Sequence, residues 1–210
     1  MRHRAVPLDT YPECRLVVLA REHTMRGVAK RLVIVPYDPQ WPALYERERD
    51  AIRRVIGDRL MAIEHVGSTA VPNLGAKPIV DVMGALPHLA DAAACIAPLA
   101  AIGYQFVPEA MRDLPDDRYF ERWTEGYEQG IELAHLHLTA HGSAFWRDHL
   151  LFRDFLRTHP QTASEYEDLK RQLASRHVSG ATYAPAKGEF IQAVLTQARQ
   201  WAQRDSAHGL

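Results

Sequence analysis

Pro78-Ile79-Val80-Asp81-Val82-Met83 decides how the chain is read. A nearly continuous apolar run of this length is expected of a β-strand covered on both faces. Asp81 breaks it, with β-branched residues on either side. An ionised carboxylate taken from water costs several kcal/mol (order of magnitude) unless a cation or strong donors compensate it. Asp81 is therefore either a structural acid with satisfied partners or a residue that faces a cleft holding metal or substrate.

Working outward, Leu60 to Val66 reads as the preceding strand and runs into Gly67-Ser68-Thr69-Ala70-Val71-Pro72-Asn73-Leu74-Gly75. Glycine lets a ligand approach the backbone, and N–H groups with two hydroxyls can hold phosphate oxygens. Ordinary turns use the same residue types. Lys77 stands just ahead of the Asp81 strand, as a phosphate partner or as a solvated lysine. Upstream, Arg31 to Pro36 reads as an edge strand. Asp38-Pro39 then reads as a helix start, and Trp41, Leu44, Tyr45, Glu48, Ile52, Val55 and Ile56 mark one helical stripe broken only by Glu48.

Downstream, Pro87 to Ile102 is alanine-rich and helical, and Tyr104 to Val107 is a short strand. Asp117 to Thr124 and Leu133 to Thr139 resemble two antiparallel strands joined through Gly126 and Gly130. In the second of these, His135 and His137 share one face, with Cα atoms about 6.5–7 Å apart. That separation lets both rings reach one metal ion or one phosphate, with Asp81 as the candidate third ligand. The bland reading is a half-exposed strand with solvated histidines. His65 is a candidate substrate contact. Arg118, Phe120 and Arg122 share a face, so Arg118 either binds an anionic substrate in the histidine cleft or forms a surface salt bridge. Tyr183 and Lys187 lie one helical turn apart at the start of the last helix, where they reach a nucleotide or merely decorate a helix end.

The last third is helical. Ser143 caps a helix carrying Phe145, Phe152, Phe155 and Leu156, and Thr162-Ala-Ser-Glu165 reads as a capping box. A final helix after Pro185 buries Phe190, Ile191, Val194, Leu195 and Trp201. Strands early and helices late give an α+β fold.

Whole-chain quantities bound the function. The chain has 210 residues, enough for one domain with a small appendage, and folding at this length buries roughly 70% of the unfolded surface. Twenty-five Lys+Arg against 26 Asp+Glu excludes a broadly cationic surface for extended nucleic acid. Two cysteines, Cys14 and Cys95, form neither a disulfide framework nor a zinc knuckle, so a reducing cytoplasm is the expected home. No run approaches the roughly 20 apolar residues of a membrane span. Residues 1–32 read as an appendage, with Met25 an alternative start, and 33–206 as the domain. P-loop, Rossmann, zincin and nucleophile-elbow motifs are absent from the sequence.

Several blocks in order carry a resemblance. They are Val35-Pro-Tyr-Asp-Pro-Gln-Trp-Pro42, His65-Val-Gly-Ser-Thr-Ala-Val-Pro72, Ala76-Lys-Pro-Ile-Val-Asp81, Arg118-Tyr-Phe120, His135-Leu-His-Leu138, Trp146 to Leu156 and Tyr183-Ala-Pro-Ala-Lys187. Together they resemble the GrpB family over Val33 to Trp201. The resemblance implies a nucleotidyltransferase-like fold: a small mixed sheet flanked by helices, with a helical C-terminal part. It implies that Gly67 and Ser68 form the phosphate loop and that Asp81 is the first acid of a pair that binds Mg²⁺ and nucleoside triphosphate. The second acid falls at Met83, which cannot bind a hard cation. The histidine pair replaces the third acid.

The resulting expectation is a metal-dependent, nucleotide-using transferase acting on a small molecule. Asp81, His135 and His137 would form the catalytic and metal set, holding Mg²⁺, Mn²⁺ or Zn²⁺. Gly67, Ser68, Thr69, Lys77, Arg118, Tyr183 and Lys187 would bind the nucleotide or substrate. Two rivals stand beside it: a non-catalytic nucleotide-, metal- or partner-binding module, and a single-metal enzyme without nucleotide.

Overall fold

The apolar run after Ile79 does become an interior strand of a sheet, with one face buried under helices and the other covered in part. The computed structural model describes residues 33–112, 115–124, 132–176 and 185–208. The appendage 1–32, the turn glycines Gly126 and Gly130, and Tyr183 lie outside the described residues.

Five strands form one mixed sheet: β1 (Ala62–Val66), β2 (Val80–Leu86), β3 (Tyr104–Phe106), β4 (Arg118–Trp123) and β5 (Glu132–Ala140). Their order is β1-β2-β5-β4-β3. The β2–β5 pair is parallel, and the other neighbours are antiparallel. Three helices, α3 (Ala144–Thr158), α4 (Pro160–Arg176) and α5 (Gly188–His208), make the C-terminal part; α1 (Trp41–Ile56) and the short α2 (Ile96–Ala100) precede it. This is the expected α+β architecture of a mixed sheet flanked by helices.

Local boundaries shift for identifiable reasons. Asp38 Oδ1 accepts from Gln40 N at 2.8 Å, but Gln40 is the residue at the cap position and the helix starts at Trp41. The Val33–Pro36 segment contributes only one bridge, Val35 with Ala76. Helix α4 begins at Pro160, which needs no N–H in the first turn, so Thr162 is already helical rather than a cap. Pro87 to Ile102 divides into a 3-10 segment, Leu89–Cys95, and α2. Ser143 does cap α3, accepting from Trp146 N at 3.1 Å.

The period-two alternation of β2, β4 and β5 splits their residues between two faces. On one face Val80, Val82, Leu136, Leu138 and Phe120 pack under Ile52 and Ile56 of α1 and Leu99 of α2. Glu48, the odd residue of the α1 stripe, is buried there. Its carboxylate accepts from Arg122 Nη1 at 2.6 and 2.7 Å and from Tyr104 Oη at 2.8 Å. The other face is covered only in part. Trp146, Phe145 and Leu150 of α3 pack on Val66, Met83 and Ala85.

A third cluster joins α3, α4 and α5 to Val71 and Leu74 of the loop after β1. Side chains of the helical part also grip that loop. Arg157 donates to the Ala70 carbonyl at 2.8 and 3.0 Å, Arg153 to the His65 carbonyl at 2.9 Å, and the buried Lys170 to the Gly75 carbonyl. Glu167 accepts from Gly75 N at 2.6 Å. A carbonyl so anchored fixes the course of the backbone, and the loop is thereby set against the partly open face of the sheet.

Candidate functional site

Strand register places the chemistry. One transverse row across the sheet reads Val66, Asp81, His135, Glu121, and the next reads Glu64, Met83, His137, Tyr119. Asp81, His135 and His137 therefore share the partly covered face, although Asp81 and His135 are 54 positions apart in the chain.

Asp81 Oδ1 lies 2.9 Å from His135 Nδ1. His135 Nε2 meets Glu132 Oε1 at 2.7 Å, so both ring nitrogens face carboxylates. Burial works against the charged ring, but the hydrogen bonds to Asp81 and Glu132 and their charges win and lift His135 to about 9. Burial likewise pushes the Asp81 carboxyl up. The His135 bond and the charges of His135, His137 and Lys77 outweigh this and hold it well below the usual carboxylate range. Both shifts favour the charged forms, an imidazolium facing a carboxylate.

The turn after β1 reaches the same acid. Gly67 has φ 71° and lies so close to Asp81 that a Cβ there would stand 2.8 Å from the carboxyl carbon. Only glycine meets both demands, the left-handed backbone and the missing side chain. Ser68 and Thr69 open the following 3-10 turn, Ser68–Ala70, whose first N–H groups have no partner inside the turn. The Thr69 hydroxyl, however, is buried and bonded to His65 Nε2 at 3.0 Å, which removes it as a phosphate ligand. His65 stacks on Tyr45 with centroids 4.6 Å apart and points to the opposite face from Asp81. Burial, reinforced by Arg157 and Arg153, drives its ring down to about 4.

Lys77 and Lys187 both act electrostatically on this corner. Burial, and then the charge of Lys77, depress Lys187 to about 8, while Asp81 opposes the shift. Arg118 does not join them. It pairs with Leu138 across the sheet and lies on the helix-covered face, with Nη1 donating to the carbonyls of Pro115 and Asp117 at 3.0 and 2.8 Å. The alternation that puts Phe120 in the core takes Arg118 with it and turns Tyr119 and Glu121 towards the histidines.

Those two residues, with Glu132, Asp117 and His149, were not singled out from the sequence. Taking Phe120 as the core residue of its strand would have exposed the first two. Tyr119 lies 5.2 Å from each histidine ring, and its phenol is pushed well above its ordinary value by burial and then by Glu121 and Glu132. Glu121 is raised by burial and by Glu132. Glu121, Glu132 and His135 offer ligand atoms that all lie within 4.8 Å of one another. Among the described residues this is the one group of three that can hold a metal. It shares only His135 with the expected set of Asp81, His135 and His137, because His137 turns its Nδ1 to Asp117 Oδ2 at 2.6 Å instead. His149 of α3 packs on Phe145, and its ring centroid is 6.1 Å from that of His137.

A pair of Mg²⁺ ions does not fit here. Met83, two residues after Asp81 on the same face, is fully buried and offers only a thioether, so no second carboxylate of that strand stands beside Asp81 to bridge two hard ions. One softer ion fits the Glu121, Glu132 and His135 group.

The chain is similar to several known proteins. UPF0157 protein YqkA of Bacillus subtilis is 32% identical over 86% of this chain and 51% of its own length. A UPF0157 protein of Pseudomonas aeruginosa is 36% identical over 80% of this chain and 68% of its own. A dephospho-CoA kinase of Mycolicibacterium paratuberculosis is 29% identical over 90% of this chain and 51% of its own length. The chain thus spans about half the length of the Bacillus and mycobacterial relatives. Among solved structures, GrpB from Enterococcus faecalis superposes with a TM-score of 0.69 at 28% identity, covering 80% of this chain and 99% of that one. The Cid1 poly(U) polymerase gives a TM-score of 0.45 at 13% identity over 68% of this chain and 43% of its own. The pattern that defines GrpB protein matches residues 31–197, and the chain belongs to the GrpB family.

Proposed function

We propose that this chain is a nucleotide-using transferase of the nucleotidyltransferase-like kind, acting on a small molecule in a cleft over Asp81, His135 and the Gly67–Ser68 turn. The observation that carries the reading is the packing of Gly67 against the Asp81 carboxyl. It joins a half-buried acid to a turn whose first N–H groups have no partner inside the turn, and the charges of Lys77 and Lys187 act on the same acid. Such a corner suits a phosphate chain, whose charge the lysines and the turn neutralise. Ser68 supplies the hydroxyl that Thr69 does not. His135 holds the Asp81 carboxylate in one orientation through its Nδ1.

An ion on Glu121, Glu132 and His135 would take the place of the proton between His135 Nε2 and Glu132. Once bound it would supply Lewis-acid neutralisation of phosphate charge.

Isothermal titration with ATP, CTP, GTP and UTP in the presence of Mn²⁺ tests the reading. At least one nucleotide is expected to bind, and Lys77→Ala is expected to weaken it about tenfold, the equivalent of ~1.4 kcal/mol. Binding of none of the four removes the nucleotide from the proposal. The buried Met83 favours a second reading, a non-catalytic binding module, which predicts nucleotide binding without consumption over long incubation.

A further inference from the structure

We propose that His137 and His149 form a separate site for one borderline divalent cation, with Zn²⁺ or Co²⁺ as the chemical class. The two rings come from unrelated elements, strand β5 and helix α3, and their centroids are 6.1 Å apart. Two imidazoles bound to one ion at about 2.0–2.1 Å place their centroids roughly 5–6.5 Å apart.

The orientation of each ring supports the assignment. His149 Nδ1 faces the Phe145 carbonyl at 2.8 Å, an acceptor only, so Nδ1 carries the proton and Nε2 keeps its lone pair. His137 Nδ1 faces Asp117 Oδ2 at 2.6 Å, which leaves Nε2 as the nitrogen open to a metal. Neither Nε2 has a partner among the described residues. Metal-binding histidines characteristically give their other N–H to a carboxylate or a backbone carbonyl, which fixes tautomer and ring plane. Both forms of that support are present here. Phe145, 4.1 Å from the His149 ring, further restricts it.

Asp117 supplies an independent observation. It is 1% exposed, its Oδ1 is buried with no hydrogen-bond partner among the described residues, and its Oδ2 meets His137. A carboxylate held against Nδ1 is the support that carboxylate–histidine–metal chains use to aim Nε2. Lone pairs attract a cation and not a phosphate, so this site differs in sign from the Gly67–Lys77 corner. It also shares no residue with the Glu121, Glu132 and His135 group. Two protein ligands leave the remaining positions to water or to donors of a substrate.

The proposal does not rest on the transferase reading, and it is tested without nucleotide. The full chain is titrated with Zn²⁺ alone, and X-ray absorption is recorded on the one-equivalent complex. The first Zn²⁺ to bind is expected to carry two imidazoles in its shell, against one for an ion on Glu121, Glu132 and His135. His149→Gln and His137→Gln should each weaken binding of that first ion at least tenfold, and Asp117→Asn about 10–100-fold. The spectrum of the unmodified protein decides the matter even if a variant folds poorly. A shell with fewer than two imidazoles, no Zn²⁺ binding, or affinity indifferent to His149→Gln but lost in Glu121→Gln overturns the proposal.

Discussion

Gly67 and Asp81 are in direct contact across the first two strands of the sheet, and the space for a side chain at position 67 is already filled by the carboxylate. The contact joins a loop to an acid that the sequence presents fourteen positions later.

Gly67→Ala should therefore fail twice, through a non-glycine residue at φ 71° and through overlap with Asp81. Strain of each kind costs roughly 1–3 kcal/mol. Urea denaturation is expected to show a loss of about 2 kcal/mol or more. A change below about 0.5 kcal/mol, the range of ordinary surface substitutions, would mean the loop is free to move away from the acid.

The buried Glu48–Arg122 pair offers a contrast of single and double variants. Glu48→Ala removes the carboxylate that Arg122 Nη1 and Tyr104 Oη donate to, and breaking a buried pair this way costs about 3–5 kcal/mol. Replacing both residues by Met should recover most of the loss, since apolar replacements of buried pairs are often neutral. Chemical denaturation of the three variants measures this. A double variant as unstable as the single one would show that the network holds β4 against α1 by more than charge compensation.

His65 should make the protein acid-sensitive. Its ring stays neutral in the fold down to about pH 4, whereas in the unfolded chain it binds a proton near 6.5. Between these values the unfolded state holds more protons, so stability falls as pH drops from about 6.5 towards 4, by roughly 1.4 kcal/mol per unit. Comparing unfolding free energies at pH 7.5 and 5, His65→Gln should flatten the decline by roughly 2 kcal/mol. Parallel declines in both proteins would assign the sensitivity elsewhere.

His135 carries the opposite sign. Its folded value near 9 lies above the unfolded 6.5. The contribution of its ion pairs is thus fully present below about pH 6.5 and fades as pH rises through 9. Nitrogen-detected NMR of the imidazole should show both ring nitrogens protonated at pH 7.5 in the metal-free protein, and a lowered midpoint in Asp81→Asn. A midpoint at or below 6.5 in the unmodified protein would remove the ion pair from the site.

The strands at Asp81 and the histidine pair, the α1 stripe and the C-terminal helices were legible because hydrophobic period follows secondary structure locally. The same periodicity put His135 and His137 on one face, and it held the information that Arg118 must follow Phe120 into the helix-covered side. That step needed to know which face was core, and a strand with an aromatic and two arginines in one register does not declare it. The buried role of Glu48 was legible only as an interruption, since its partners Tyr104 and Arg122 lie 56 and 74 positions away.

By itself the sequence determined the α+β class, the family, the acid on the central strand and the glycine-serine turn before it, because each is written in contiguous residues. Tertiary structure alone decided who meets whom: Asp81 with His135, His137 with Asp117 and His149, Thr69 with His65 rather than a ligand, and Glu121 with Glu132. Those pairings follow from strand order and register, and from long-range packing of α3 on the sheet. Contacts between distant residues are fixed by the geometry of the assembled sheet, which no local pattern specifies.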